Sequence, residues 1–317
     1  MRILLVKTSS LGDVIHNLPV VSDIRRHVPG AIIDWCVEDA FAAVPRLHPG
    51  VEEVIPVALR RWRKARFASR TWQEVATFRR QLGNNIYDLV IDTQGLLKSA
   101  LLASQASGPL AGYAADSARE PLAARLYDRR YSVGLAQHAV VRNRALAAAA
   151  LGYGVEGEAD YGVEAPAARF DWLPGQPYVV FLTATSRDDK LWPEAHWTVL
   201  GRQLHALGYC AVLPAGNAME RERANRLATM IPGAVAAPPL SITELASLLA
   251  GSRAAVGVDT GLSHLAVALR VPTVAVYVAT DPGLTGVLGS GYHRNLGGRS
   301  QMPAPEAVLA ALQPALA

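Results

Sequence analysis

Four short segments of this 317-residue chain concentrate groups able to handle a proton or an anion. The first, Lys7-Thr8-Ser9-Ser10-Leu11-Gly12-Asp13, runs through hydroxyls and a glycine to a carboxylate. An aspartate at that place either caps the helix that follows, worth about 1 kcal/mol, or acts as a base toward a bound hydroxyl. A helix N-terminus stabilises a carboxylate and weakens it as a base, whereas partial desolvation restores its basicity. The second, Thr183-Ala184-Thr185-Ser186-Arg187-Asp188-Asp189-Lys190, sets two hydroxyls and a lysine ahead of a helix opening at Trp192-Pro193-Glu194. Hydroxyls, an ammonium and helix-entry amides suit a diphosphate. The same residues also suit a solvated turn in which Arg187 and Lys190 pair with Asp188 and Asp189.

The third segment is Val258-Asp259-Thr260-Gly261-Leu262-Ser263-His264, read as strand, tight glycine turn and helix start. Gly261 permits close approach of backbone amides to an anion, and Asp259 can accept from a sugar hydroxyl or a base amine. His264 is either a satisfied structural histidine or, in the first helical turn, part of a site. The fourth is Arg60-Arg61-Trp62-Arg63-Lys64-Ala65-Arg66-Phe67, with Arg70 and Trp72 just after; Arg60 to Arg66 holds five basic residues among seven. Basic residues interleaved with aromatics fit nucleic acid, an anionic membrane face or a phosphorylated ligand, or simply a solvated helix face. The chain has no G-x-G-x-x-G after a strand, no G-x-x-x-x-G-K-[ST] and no G-x-S-x-G, and no His/Cys/Asp cluster at metal-ligand spacing. Neither a cofactor nor a metal is expected.

These loops need rigid elements behind them. Ile3 to Val6 is a short apolar run of the buried-strand type, and from Asp13 the apolar residues Val14, Ile15, Leu18, Val21 and Ile24 mark one helical stripe ending at Pro29-Gly30. The pattern recurs with strands at Ile32 to Val37 and Tyr87 to Asp92, and a helix at Leu96 to Ala103. Gly162 to Pro177, rich in Pro and Gly with little periodicity, reads as an interdomain linker. Alternation then restarts. Strands are expected at Tyr178 to Thr183, Tyr209 to Leu213, Ala254 to Val258 and Thr273 to Val278, with helices at Glu194 to Leu207, Met219 to Met230 and Ile242 to Ala250. Strands alternating with helices imply parallel sheets, and each loop singled out follows a strand, where α/β folds bind ligands.

Half of the residues are hydrophobic and 18% are charged, which excludes wholesale disorder and collagen-like repeats. At this length two domains are the better expectation, residues 1–165 and 166–317, with the final helix free to pack back on the first. A net charge of +4 is modest, so an anionic partner has to be met by a local cluster. Cys36 and Cys210 lie inside apolar runs and read as core residues in a reducing compartment. With no signal-like or membrane-spanning stretch, the expected location is cytoplasmic, with room for a surface association.

In combination the segments resemble a known family. Lys7 to Val14, Arg60 to Lys64, Asp92-Thr93-Gln94-Gly95, Arg187 to Pro193 and Asp259 to His264 occur in the order found in the ADP-heptose:lipopolysaccharide heptosyltransferases. The basic-aromatic stretch and the Arg-Asp-Asp-Lys loop resemble the first-heptose branch, heptosyltransferase I. The resemblance implies the GT-B fold, an α/β arrangement of two Rossmann-like domains with parallel sheets facing a central cleft, the first binding acceptor and the second the ADP-sugar. It implies inverting, metal-independent transfer of L-glycero-D-manno-heptose from ADP-heptose to Kdo of Kdo2-lipid A, on the cytoplasmic face of the inner membrane. Carried over by motif, Asp13 is the base. Thr185, Ser186 and Lys190 hold the diphosphate, with Lys190 stabilising the departing ADP. Glu220, Asp259, Thr260, Gly261, Leu262 and His264 complete the donor site. Ser10, Gly12, Arg60, Arg61, Arg63, Lys64 and Arg119 meet the acceptor. Ser186 stands where relatives often carry Thr, and Tyr277-Val278-Ala279-Thr280-Asp281-Pro282 lacks the Gly-Pro pair they often show. The alternative class is a non-catalytic nucleic-acid-binding protein working through Arg60 to Arg66.

Overall fold

The computed structural model describes residues 1–316 and divides into two compact units, Met1–Val163 and a second beginning at Glu164. The first holds six parallel strands: β1 (Arg2–Val6), β2 (Ile32–Glu38), β3 (Glu53–Val57), β4 (Leu89–Asp92), β5 (Leu110–Tyr113) and β6 (Arg129–Tyr131), in spatial order β3-β2-β1-β4-β5-β6. The second holds β7 (Tyr178–Leu182), β8 (Cys210–Leu213), β9 (Val235–Ala236), β10 (Ala254–Val258), β11 (Thr273–Tyr277) and β12 (His293–Gly297), in order β9-β8-β7-β10-β11-β12. The two orders are the same Rossmann order, so each sheet reverses direction of progress once, between β1 and β4 or between β7 and β10.

The central strands are apolar on both faces because helices cover both. Ile3, Leu4, Leu5 and Val6 are all buried, as are all five residues of β7 and of β10. Around the second sheet, Trp192 and Trp197 pack edge to face at 4.9 Å between centroids, against Phe181, Leu200 and Leu227. The final helix, Pro305–Leu316, buries Val308 and Leu312 in this same core, so it belongs to the second unit. Both cysteines are free and buried.

The helical stripe beginning near Asp13 is interrupted. One helix spans Leu11–Ile15 and a second Leu18–His27. Pro19, with no N–H to donate to Ile15, can begin a helix but cannot continue one, and this separates the two. The break leaves Asp13 in a five-residue turn of helix above the end of β1.

Register sets the loops side by side. Val6 pairs with Asp92, so the segments after β1 and β4 leave the first sheet at one level, while β2, paired through Cys36, runs on to Glu38. Leu182 pairs with Gly257, which does the same for the segments after β7 and β10.

Candidate active site

In the first unit the loop after β1 is a buried polar layer. Thr8 donates to the Gln94 side-chain carbonyl through both N–H (2.7 Å) and Oγ1 (2.8 Å). Lys7 Nζ, buried, donates to the Thr93 carbonyl (2.8 Å) and Asn143 Oδ1 (3.3 Å). Burial drives the Lys7 ammonium down to about 8, against the raising pull of Asp13 and Asp92. Asp92 is raised by its own burial, opposed by hydrogen bonds from Ser99 Oγ (2.7 Å), Tyr127 OH (2.8 Å) and the Gln94 N–H (2.8 Å).

Above this layer stands Asp13. Its Oδ2 accepts from the Ser10 N–H (2.8 Å) and Ser10 Oγ (3.0 Å), and Arg119 Nη1 lies 3.8 Å from the same oxygen. These contacts all fall on Oδ2. Ser10, Gly12, Asp13 and Arg119 are thus one group, with Arg119 largely exposed. Arg119 is brought there by Gly95, whose φ of +67° turns the chain after β4 and whose carbonyl accepts from the Glu120 N–H (2.9 Å). Lys98 Nζ, 3.5 Å from Ser9 Oγ, adds a cation to the loop.

The basic stretch follows β3 as the helix Leu59–Lys64. Its side chains are not equivalent. Arg60, Arg63 and Lys64 are exposed, the Arg60 guanidinium lying 5.7 Å over the Phe41 ring and its N–H donating to Glu38 Oε1 (3.0 Å). Arg61 is held by Asp39 (3.0 Å) and by Glu74, and both carboxylates raise its affinity for its proton. Trp62 turns inward, its Nε1–H donating to Glu74 (2.8 Å) and its ring edge on Phe78. The Glu74 carboxyl is pulled down to about 2, first by Arg61, then by Trp62 and Arg70.

In the second unit three groups converge on one residue, two of them on its carboxylate. Asp259 Oδ2 accepts from Lys190 Nζ (2.8 Å) and Thr280 Oγ1 (2.7 Å), and the Asp259 carbonyl accepts from Thr185 Oγ1 (2.8 Å). Lys190 therefore does not pair within the turn, as the solvated-turn alternative had it. Arg187 pairs with Asp189 (3.0 Å), but Lys190 crosses to the segment after β10. Thr280, ambiguous in sequence, reaches the same place. Gly261 is the first residue of the helix Gly261–Ala268 rather than a tight left-handed turn, with Thr260 its N-cap. Leu262 is half-buried, and His264 and Ser263 are buried in its first turns. Ser186 is exposed. Glu220 sits in the first turn of the helix Ala218–Met230 after β8, accepting from the Gly216 N–H (2.7 Å) and Asn217 Nδ2 (2.7 Å). Among the described residues no group of three His, Cys, Asp or Glu side chains could hold a metal ion.

Lys7, Gln94, Asn143 and Glu74 were not singled out as site residues from sequence. Lys7 carried a signal, a lysine closing a buried apolar strand, and Glu74 a local one in its i,i+4 spacing from Arg70; Gln94 and Asn143 lie far in sequence from the residues they touch.

Residues 75–309 match the model of glycosyltransferase family 9 (heptosyltransferase). The chain belongs to glycosyltransferase family 9. It is 51% identical over 291 residues to lipopolysaccharide heptosyltransferase 1 of Pseudomonas aeruginosa, covering 91% of this chain and 82% of the relative. It matches the E. coli heptosyltransferase WaaC solved with ADP at a TM-score of 0.91 and 43% identity, over 99% of this chain and 100% of that one. The same E. coli enzyme solved with ADP-2-deoxy-2-fluoro heptose matches at 0.88 and 41%, over 99% of each. The fold is accordingly GT-B, and the chain is an enzyme, a glycosyltransferase of the heptosyltransferase type. This leaves the nucleic-acid alternative without support.

Proposed function

We propose that this heptosyltransferase moves L-glycero-D-manno-heptose from ADP-heptose to a Kdo hydroxyl of Kdo2-lipid A, with inversion. The observation that carries the reading is the convergence of Lys190, Thr280 and Asp259 at the switch point of the second sheet, in a chain so similar to an enzyme solved with ADP. In this scheme the diphosphate is held by Lys190, by the hydroxyls of Thr185 and Ser186, and by the amides of Gly261 and Leu262 at the helix entry. Asp259 and His264 line the sugar-nucleotide pocket, and Glu220 reaches the ribose.

Asp13 accepts the proton of the attacking Kdo hydroxyl through Oδ1. The hydroxyl oxygen bonds to the anomeric carbon of heptose as the bond from that carbon to the diphosphate oxygen breaks, and the electron pair leaves with ADP. Lys190 offsets the charge that accumulates on ADP, where a fixed cation is most effective. No metal takes part, so turnover survives EDTA. Arg60, Arg63, Lys64 and Arg119 meet the carboxylates and phosphates of the acceptor, with Ser10 and Gly12 beside the reacting hydroxyl.

The acceptor is an amphiphile, and no helix among the described residues is long and apolar enough to cross a membrane. Peripheral docking on the cytoplasmic face of the inner membrane fits the exposed Arg63, Lys64, Arg66 and Arg70 around Phe67, 86% exposed, and Trp72, 65% exposed. Incubation with ADP-heptose and Kdo2-lipid A tests the whole reading. A product heavier by one heptose is expected; an unchanged acceptor mass, with ADP bound normally, would refute the acceptor assignment.

A further inference from the structure

The helix Leu59–Lys64 has six residues, too few to hold its shape by propensity alone. At 100° per residue, Arg60, Arg63 and Lys64 fall on one face and Trp62 on the opposite one, with the half-exposed Arg61 on the flank between Lys64 and Trp62. That opposite face is poorly filled. A cavity of about 490 Å³ lies along it, lined by Arg61, Trp62, Glu74 and Phe78 among others. Leu59 and Trp62 seat the helix on the core of the first unit, and polar tethers add to that hold.

The tether converges on one side chain from the next helix, Ser69–Gly83. Glu74 Oε2 accepts from Arg61 Nη1 and from Trp62 Nε1 (2.8 Å), and Oε1 accepts from Arg70 Nε (3.0 Å). Asp39, just past β2, takes the other Arg61 nitrogen at 3.0 Å. Two of these donors, Arg61 and Trp62, belong to the short helix, so the carboxylate ties that helix to Ser69–Gly83, while Arg70 steadies Glu74 from its own helix. Charge-assisted bonds of this kind are stronger and more directional than neutral ones.

We propose that Glu74 is a positioning residue for acceptor recognition: acting through Arg61, it turns the Arg60, Arg63 and Lys64 face toward the anionic groups of the acceptor. Arg61 is then a strut rather than an acceptor ligand. The inference rests on the reading of that face as acceptor-binding, and the experiment separates the two.

The parent, Glu74→Gln, Arg61→Met, the double variant and Lys64→Ala are compared for KM toward Kdo2-lipid A, KM toward ADP-heptose, turnover at saturating acceptor, and ADP affinity. Glu74→Gln keeps the size of the side chain and removes the charge. It is expected to raise the acceptor KM by roughly fivefold or more, as loss of a charged tether implies, and to leave donor KM, ADP affinity and saturated turnover near parental. Adding it to Arg61→Met should change the acceptor KM no further, because both act in one path. An acceptor KM unchanged in Glu74→Gln but raised in Lys64→Ala would overturn the inference and leave the acceptor reading intact. An unchanged KM in Lys64→Ala would remove the acceptor reading itself. Additive effects in the double variant, or loss of ADP affinity together with acceptor affinity, would make Glu74 merely structural and also overturn it.

Discussion

Asp13 and Lys7 are six residues apart and share one loop, yet burial gives them opposite parts. Asp13 is partly exposed, and its Oδ2 takes the contacts from Ser10 and Arg119. On the proposed role as base, its replacement by alanine should leave folding and ADP affinity in place while turnover falls by about 10²–10⁴-fold. Steady-state rates beside ADP titration calorimetry check this, and heptose transfer at the parental rate would end the assignment. Lys7 instead lies beneath, its ammonium lowered to about 8 by burial. Between pH 8 and the ordinary lysine value of 10.5 the folded protein holds fewer protons at this site than the unfolded chain, so stability rises with pH there. Denaturant titrations of the parent and Lys7→Met across that window should diverge in favour of the parent, by at most about 3 kcal/mol. A constant difference would show that Lys7 is not buried with a depressed affinity for its proton. The sequence displayed Asp13 openly because a carboxylate at a helix entry is a local pattern. It could not display the partners of Lys7, which come from Thr93 and Asn143 and meet it only through the order of strands.

Strands and helices set those meetings, and their legibility followed burial. The inner strands β1, β4, β7 and β10 are covered on both faces and read as apolar runs. The outer β6, Arg-Arg-Tyr, and β12, His-Arg-Asn-Leu-Gly, are largely solvent-facing and carry no such mark. β3 includes Pro56, which further weakens its signature. Pro19 was the available clue to the divided helix after Asp13, and the apolar stripe concealed it because both helices bury the same side. Closeness between elements also has a marker in Gly257. A Cβ at this position would lie 2.2 Å from Ser263 Oγ, which donates to the Val258 carbonyl, and 3.0 Å from Leu182 Cβ. Gly257→Ala should push the helix Gly261–Ala268 off its strand at a cost of about 1–3 kcal/mol. Lower Tm with weaker ADP binding is the expected pair of results; a variant with parental Tm would show that the helix yields freely.

The whole molecule is nearly neutral in charge, with a net +4, yet its cations are unevenly spread. Arg60, Arg63, Lys64, Arg66 and Arg70 are exposed within eleven residues, beside Phe67 and Trp72. Sedimentation with anionic vesicles should deplete the parent from solution and leave behind a variant in which Arg60, Arg61, Arg63 and Lys64 are charge-neutral, the parental binding weakening with salt. Equal partitioning of the two would dispose of the docking proposal. At this scale the mark in the sequence is Gly162 to Pro177, which breaks the alternation of elements; the division at Val163 and Glu164 lies at its start. Each part closes a core of its own around a complete set of six strands. A genetic crossover at that junction would therefore interrupt no strand of either sheet.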